Sequence, residues 1–112
     1  MFSATFIFDK KQFDDEFHAL DAVIAAAARD TPGFLGEEAW EDPSTGRACN
    51  VYYWADEQGL RQLMQHPTHL QAKAAQARWL DGYQVIVSQV LRSYGDGRIP
   101  HPTRRAEGGR AE

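Results

Sequence analysis

Residues 31–54 read TPGFLGEEAWEDPSTGRACNVYYW, and this stretch decides the fold. Pro32-Gly33 opens it, and a strand-like run follows from Phe34 to Trp40. A loop signal comes next, Glu41-Asp42-Pro43-Ser44-Thr45-Gly46, before a second strand-like run from Ala48 to Trp54. Asp, Pro, Ser and Gly supply turn dihedrals that a strand interior cannot, so the two runs form an antiparallel hairpin. Helix-period sequence lies on both sides, which puts the hairpin in the middle of the fold. Asn50 is the unusual polar residue within it.

Outward from the hairpin, Ser3 to Phe8 is rich in β-branched and aromatic residues and reads as a first strand. Phe13, Phe17, Leu20, Ile24 and Ala27 recur at helical spacing, and the run Ala25 to Ala28 has the highest helix propensity available. Acidic Asp14, Asp15 and Glu16 suit the start of that helix, and Pro32 forces its end, giving a span from about Phe13 to Arg29. After the hairpin, Asp56 caps a short helix carrying Leu60, Leu63 and Met64. Pro67 opens another, whose inner stripe is read as Leu70, Ala74, Ala77 and Leu80, with Gly82 as its stop. Tyr83 to Arg92 is the clearest strand, apolar on both faces and so expected to be covered on both.

The composition fits one domain. At 112 residues, folding buries roughly 65% of the chain's surface, enough for one core. A net charge of −4 argues against a nucleic-acid surface, which needs clustered Lys and Arg. Cys49 is the single cysteine, so no internal disulfide can form. No apolar run approaches the ~20 residues that span a bilayer, and the opening MFSATFIFDKK lacks the order of charge and apolar run of a signal peptide. The expected location is the cytoplasm, with no membrane or nucleic-acid partner. Residues 1–95 form the domain. Residues 96–112 form an Arg/Gly/Pro-rich tail whose composition predicts mobility, with charges of +4 and −3.

Strand, helix, strand, strand, helix, strand is the α+β, ferredoxin-like βαββαβ order: a four-stranded antiparallel sheet with helices on one face. Along the third strand, Cys49, Val51 and Tyr53 point one way and Asn50, Tyr52 and Trp54 the other. Neither face is polar enough for water, which predicts a homodimer through the open sheet face.

Thr31-Pro32-Gly33-Phe34-Leu35-Gly36, Tyr53-Trp54-Ala55-Asp56, His66-Pro67-Thr68-His69, Trp79, Tyr83 and Arg92-Ser93-Tyr94-Gly95 together resemble the antibiotic biosynthesis monooxygenase (ABM) domain, in its small stand-alone form. The resemblance runs from Ser3 to Gly95. It implies a dimeric α/β barrel with a pocket in each subunit between sheet and helices. For the quinone-forming members it also implies oxygenation of an electron-rich phenol by O₂ without metal or organic cofactor. Those members carry an asparagine and a tryptophan four residues apart on the third strand, matched here by Asn50 and Trp54. The haem-degrading members use an asparagine on the first strand with a tryptophan and a histidine beyond. Here the first strand offers Ser3 and Thr5, and the helical positions carry Leu63 and Lys73, so haem degradation is not expected.

The resulting reading is a monooxygenase acting on a small aromatic or polyketide-like compound, with a non-catalytic small-molecule-binding or stress-response dimer as the alternative. The candidate catalytic residues are Asn50, Trp54 and His69. Asn50 would hydrogen-bond a substrate anion, because a buried amide without a partner costs roughly 1–3 kcal/mol and so implies a task. His69 would handle a proton near neutral pH. Tyr52, Leu63, His66 and Trp79 are the candidate substrate contacts, and Trp40 and Tyr83 are read as packing. No metal is expected, because His66 and His69 alone cannot fill a coordination sphere. No cofactor is expected either: the sequence has no Gly-rich phosphate loop.

Overall fold

The structure, a computed structural model, describes residues 1–106. Its elements in chain order are β1 (Phe2–Lys10), α1 (Asp15–Asp30), β2 (Phe34–Glu41), β3 (Ala48–Trp54), α2 (Glu57–Met64) and α3 (Pro67–Ala75). A 3₁₀ turn (Gln76–Arg78), β4 (Leu80–Gln89) and α4 (Pro102–Ala106) complete it. The strands form one antiparallel sheet in the order β2-β3-β1-β4. This is the α+β, ferredoxin-like arrangement.

The helices start where short polar side chains can satisfy free backbone N–H groups. Asp14 accepts from the Phe17 N–H at 2.8 Å, and Asp56 from the Gly59 N–H at 3.1 Å. His66 does the same work for α3: its Nδ1 accepts from the Thr68 N–H at 3.2 Å, with Pro67 in the first turn. His101-Pro102-Thr103 repeats this device at α4, where His101 Nδ1 accepts from the Thr103 N–H at 3.2 Å. From sequence, that tripeptide reads only as a turn.

Register fixes which residues share a face. Ala39, Asn50, Phe6 and Val85 lie in one row across the four strands; Glu37, Tyr52, Ala4 and Val87 lie in the next. These rows face the helices, since Tyr52, Ala4 and Trp54 pack with Ala28, Leu60 and Leu63. Trp54 is fully buried and meets Phe34 edge-on at 5.0 Å between ring centres. At the other end of the sheet, Phe13 stacks on Phe17 at 3.8 Å, and Phe17 meets buried Trp79 at 5.5 Å. The Trp79 indole N–H donates to the Asp14 carboxylate at 3.1 Å, tying the entry to β4 to the start of α1.

Four expectations are corrected. Gly82 lies inside β4 and stops no helix, because burial of Trp79 against Phe17 and Asp14 draws the chain out of α3 after Ala75. β4 ends at Gln89 and not Arg92, since its partner β1 runs out at Phe2, opposite Gln89. The inner side of α3 is Thr68, His69, Ala72 and Ala75, all half-buried, while Leu70 and Ala74 are exposed. Trp40 is exposed on the edge strand β2, where packing is expected. The segment 96–106 is seated on the sheet through α4, and the remainder of the tail, with its expected mobility, lies outside the described residues. Among the described residues, no helix is long and apolar enough to cross a membrane.

The close fit at Trp54 makes a prediction about Gly59. A Cβ there would sit 2.5 Å from the Pro32 carbonyl oxygen and 3.0 Å from the Trp54 ring. Ala improves helix propensity by about 1 kcal/mol, but overpacking against backbone and a fixed ring costs about 1–3 kcal/mol. Gly59→Ala therefore lowers stability by up to about 2 kcal/mol in urea unfolding, the difference of those two effects. A stabilised variant would contradict the packing described.

Candidate active site

Strand β3 carries the polar candidates on its helix-facing side. Asn50 and Tyr52, two residues apart in an extended strand, point the same way, which brings the Asn50 amide to the same side as the Tyr52 hydroxyl. Burial pushes the Tyr52 phenol up to about 12, with the nearby Glu37 and Asp21 carboxylates adding to the shift. The Asn50 amide acts the other way. Tyr52 is thus a neutral hydrogen-bond donor throughout the physiological range.

Next to them the helix side of the sheet is open. Helix α1 rests on β2 and α2 on β3, and no helix packs closely along β4. The helix-facing residues Tyr83, Val85 and Val87 are consequently 46%, 42% and 49% exposed. With Phe6 and Ala4 beneath them, they make an apolar trough that Asn50 and Tyr52 border. Ala4 is its low point, a small side chain in the row between Tyr52 and Val87. The hollow is open along β4, where the resemblance implies a pocket between sheet and helices.

Other expected residues separate from it. Trp54, expected to be catalytic, is fully enclosed in the core, with its Nε1 lacking a hydrogen-bond partner. Leu63 is core packing against Trp54, and Trp79 is committed to Phe17 and Asp14, so neither is exposed as a substrate contact. His66 spends Nδ1 on its helix cap and lines a cleft of ≈ 540 Å³ with Gln58, Arg61, Gln62, Gln65 and Pro67, on the outer side of α2. A second cleft of ≈ 460 Å³, at the hairpin end, is lined by Asp9, Lys10, Glu41, Arg47 and Asp81, and its cations are paired at Lys10–Glu41 and Arg47–Asp9. Neither cleft includes Asn50.

His69 is half-buried on α3, with a buried Nδ1 that has no hydrogen-bond partner. Burial lowers its pKa, as do the charges of Lys73 and His66, while a hydrogen bond to the Met64 backbone acts the other way. At neutral pH it is a neutral imidazole able to accept a proton. Among the described residues, no group of three or more His, Cys, Asp or Glu is placed to hold a metal ion.

The opposite sheet face holds a polar network that sequence reasoning misses. Tyr53 Oη donates to Glu38 Oε1 at 2.6 Å, and His101 Nε2 approaches the same oxygen at 3.0 Å. His101 Nδ1 lies 2.7 Å from Thr103 Oγ1, which in turn lies 2.6 Å from Ser93 Oγ. Burial raises the Glu38 carboxyl, but the bonds from Tyr53 and His101 outweigh it and hold the group below its ordinary value. Period-2 alternation places Glu38 and Tyr53 on one face, yet nothing local announces a partner 63 positions away.

No protein-family model matches the sequence, nor does any curated protein. Solved structures do match in fold. SnoaB, a cofactor-independent oxygenase from Streptomyces nogalater, is 17% identical over 82% of this chain and 94% of its own, with a TM-score of 0.66. A Deinococcus radiodurans protein provisionally described as an antibiotic biosynthesis monooxygenase is 18% identical over 85% of this chain and 97% of its own, with a TM-score of 0.66. Rv0793 from Mycobacterium tuberculosis is 18% identical over 84% and 98%, with a TM-score of 0.63. The fold is that of ABM-type proteins.

The buried Tyr52 phenol makes stability pH-dependent. Its folded value of about 12 exceeds the ~10 of an exposed tyrosine, so its contribution is complete below pH ~10 and is lost as pH rises from there toward 12. Tyr53 is shifted the same way, by burial first and then by Glu38. Urea midpoints measured from pH 9 to 12 should fall less steeply for Tyr52→Phe than for the wild type, each relative to its own value at pH 7. Parallel curves would show that Tyr52 is not held neutral by burial.

Proposed function

We propose that the protein is a cofactor-independent monooxygenase of the ABM type. It acts on a small aromatic or polyketide-like compound laid in the trough along β4, as a homodimer joined through the open sheet face. The observation that carries this reading is the pairing of Asn50 and Tyr52, two aligned polar groups, with the exposed apolar floor of Tyr83, Val85 and Val87 on the same side of the sheet. Apolar sites with a few fixed polar groups are what small-molecule recognition requires. The fold shared with SnoaB adds the reaction type to the reading.

The chemistry is oxidation of an electron-rich phenol by O₂: the substrate loses two hydrogens and gains one oxygen, and the other oxygen leaves as water. The side-chain amide of Asn50 donates to the substrate oxygen as negative charge develops there, a task for a fixed, preorganised donor. Tyr52 beside it stays a neutral phenol and cannot itself compete as a phenolate. Neutral His69 accepts the substrate proton. The second reading, a binding protein using the same trough, is favoured by the burial of Trp54, which leaves one member of the Asn/Trp pair out of reach of a ligand.

Oxygen uptake with a panel of anthrone-like phenols separates the two. Loss of one oxyanion donor costs about 10²–10³ in kcat, so Asn50→Ala should lower turnover by about that factor while binding persists. Ligand binding without uptake for any panel member would establish the second reading.

A further inference from the structure

We infer that residues 91–104 form an interface arm, seated by a Glu38–His101 latch, that grips a second copy of the chain docked on the open sheet face. This rests on the homodimer reading above and goes beyond it by assigning a grip to the C-terminal segment.

The seat is built for the segment. Gly36, at the bulge in β2, lacks the Cβ that would lie 2.9 Å from both Cβ and Cγ of Pro102. Its φ of +143° is one that L side chains rarely adopt, so two independent constraints favour glycine here. The His101 ring meets the Tyr53 ring edge-on at 5.0 Å while its Nε2 reaches Glu38. Thr103 is buried, and so is Ser3, an open-face residue of β1 that would be bare without a cover. To travel from the end of β4 to a seat on β2 and β3, the chain must cross the sheet at its Phe2 end.

Two features point to a second copy as the occupant. The open face between the latch and the Asp9–Arg47 pair consists of Thr5, Ile7, Trp40, Cys49, Val51, Gln84, Ile86 and Ser88, none of them charged, on a chain whose net charge is −4. An uncharged face meets its own copy without the repulsion that the rest of the surface would impose. Glu38 is the carboxylate on this side nearest the centre, and the latch covers it with two donors. Meanwhile the crossing segment carries Leu91 and Ile99, 88% and 74% exposed, and exposed Tyr94. These are large apolar groups fixed beside the face by the latch and left without cover in a single chain, the mark of a protein contact.

Sedimentation equilibrium of the full chain tests this with three variants. The exposure of Leu91 and Ile99 means that Leu91→Ser/Ile99→Ser leaves the single-chain fold intact, and thermal unfolding at low concentration verifies it. The expected result is a wild-type dimer, with its Kd raised at least tenfold both by this pair and by His101→Ala. Ile86→Glu, in the middle of the face, should abolish association. If Ile86→Glu dissociates the dimer while the arm variants associate as tightly as wild type, the arm is refuted and the dimer stands. A wild-type monomer at micromolar concentration would refute both.

Discussion

Everything in this molecule follows from the alternation of one strand. In β3, even-numbered side chains meet the helices and odd-numbered ones face away. The first set is Ala48, Asn50, Tyr52 and Trp54, graded from buried apolar residues at the ends to two half-buried polar side chains in the middle. The second is Cys49, Val51 and Tyr53, of which only Tyr53 engages a polar network. A slip of one residue would place Trp54 in water and Tyr53 in the core, so the register is strongly fixed. The anchor is Trp54. Gly59, Phe34 and Leu63 close around it.

The helices cover that alternating surface unevenly. Over β2 and β3 they make a core, but over β4 they leave apolar floor exposed. A chain that spent its hydrophobic residues only on stability would not leave Val85 and Val87 exposed on the same side of the sheet as a half-buried amide. On the other face the C-terminal segment covers the Gly36 end alone and leaves the Ile86 end bare. One sheet thus presents two incomplete surfaces of different chemistry. The one bordered by Asn50 suits a small ligand, and the uncharged one suits a flat protein partner.

Much of this is readable in the sequence, for physical reasons. The hairpin, the caps at Asp56 and Pro67 and the shared face of Asn50, Tyr52 and Trp54 are local, set by turn chemistry and by the period of two. The failures come where distant contacts override local preference. Gly82 has the look of a helix stop, but Trp79 had already been drawn to Asp14, 65 positions earlier. Leu70 and Ala74 have the spacing of an inner stripe, but α3 lies on α1 with a different side inward. Trp79 and Leu63, large and apolar, fit a ligand wall as well as a core until their neighbours are known. The latch was hidden because Glu38 and His101 sit in segments that separately resemble a strand surface and a turn. The second His-Pro-Thr was the available clue, since the first one already marks a helix start.

The central claim is that the helix side of the sheet, beside β4, receives an aromatic ligand. Titrating a tricyclic phenol into isotopically labelled protein and following side-chain resonances by NMR tests it directly. The account predicts shifts concentrated on the Asn50 side-chain amide and the methyl groups of Val85 and Val87. Shifts confined to Val51 and Ile86, on the other face, would contradict it.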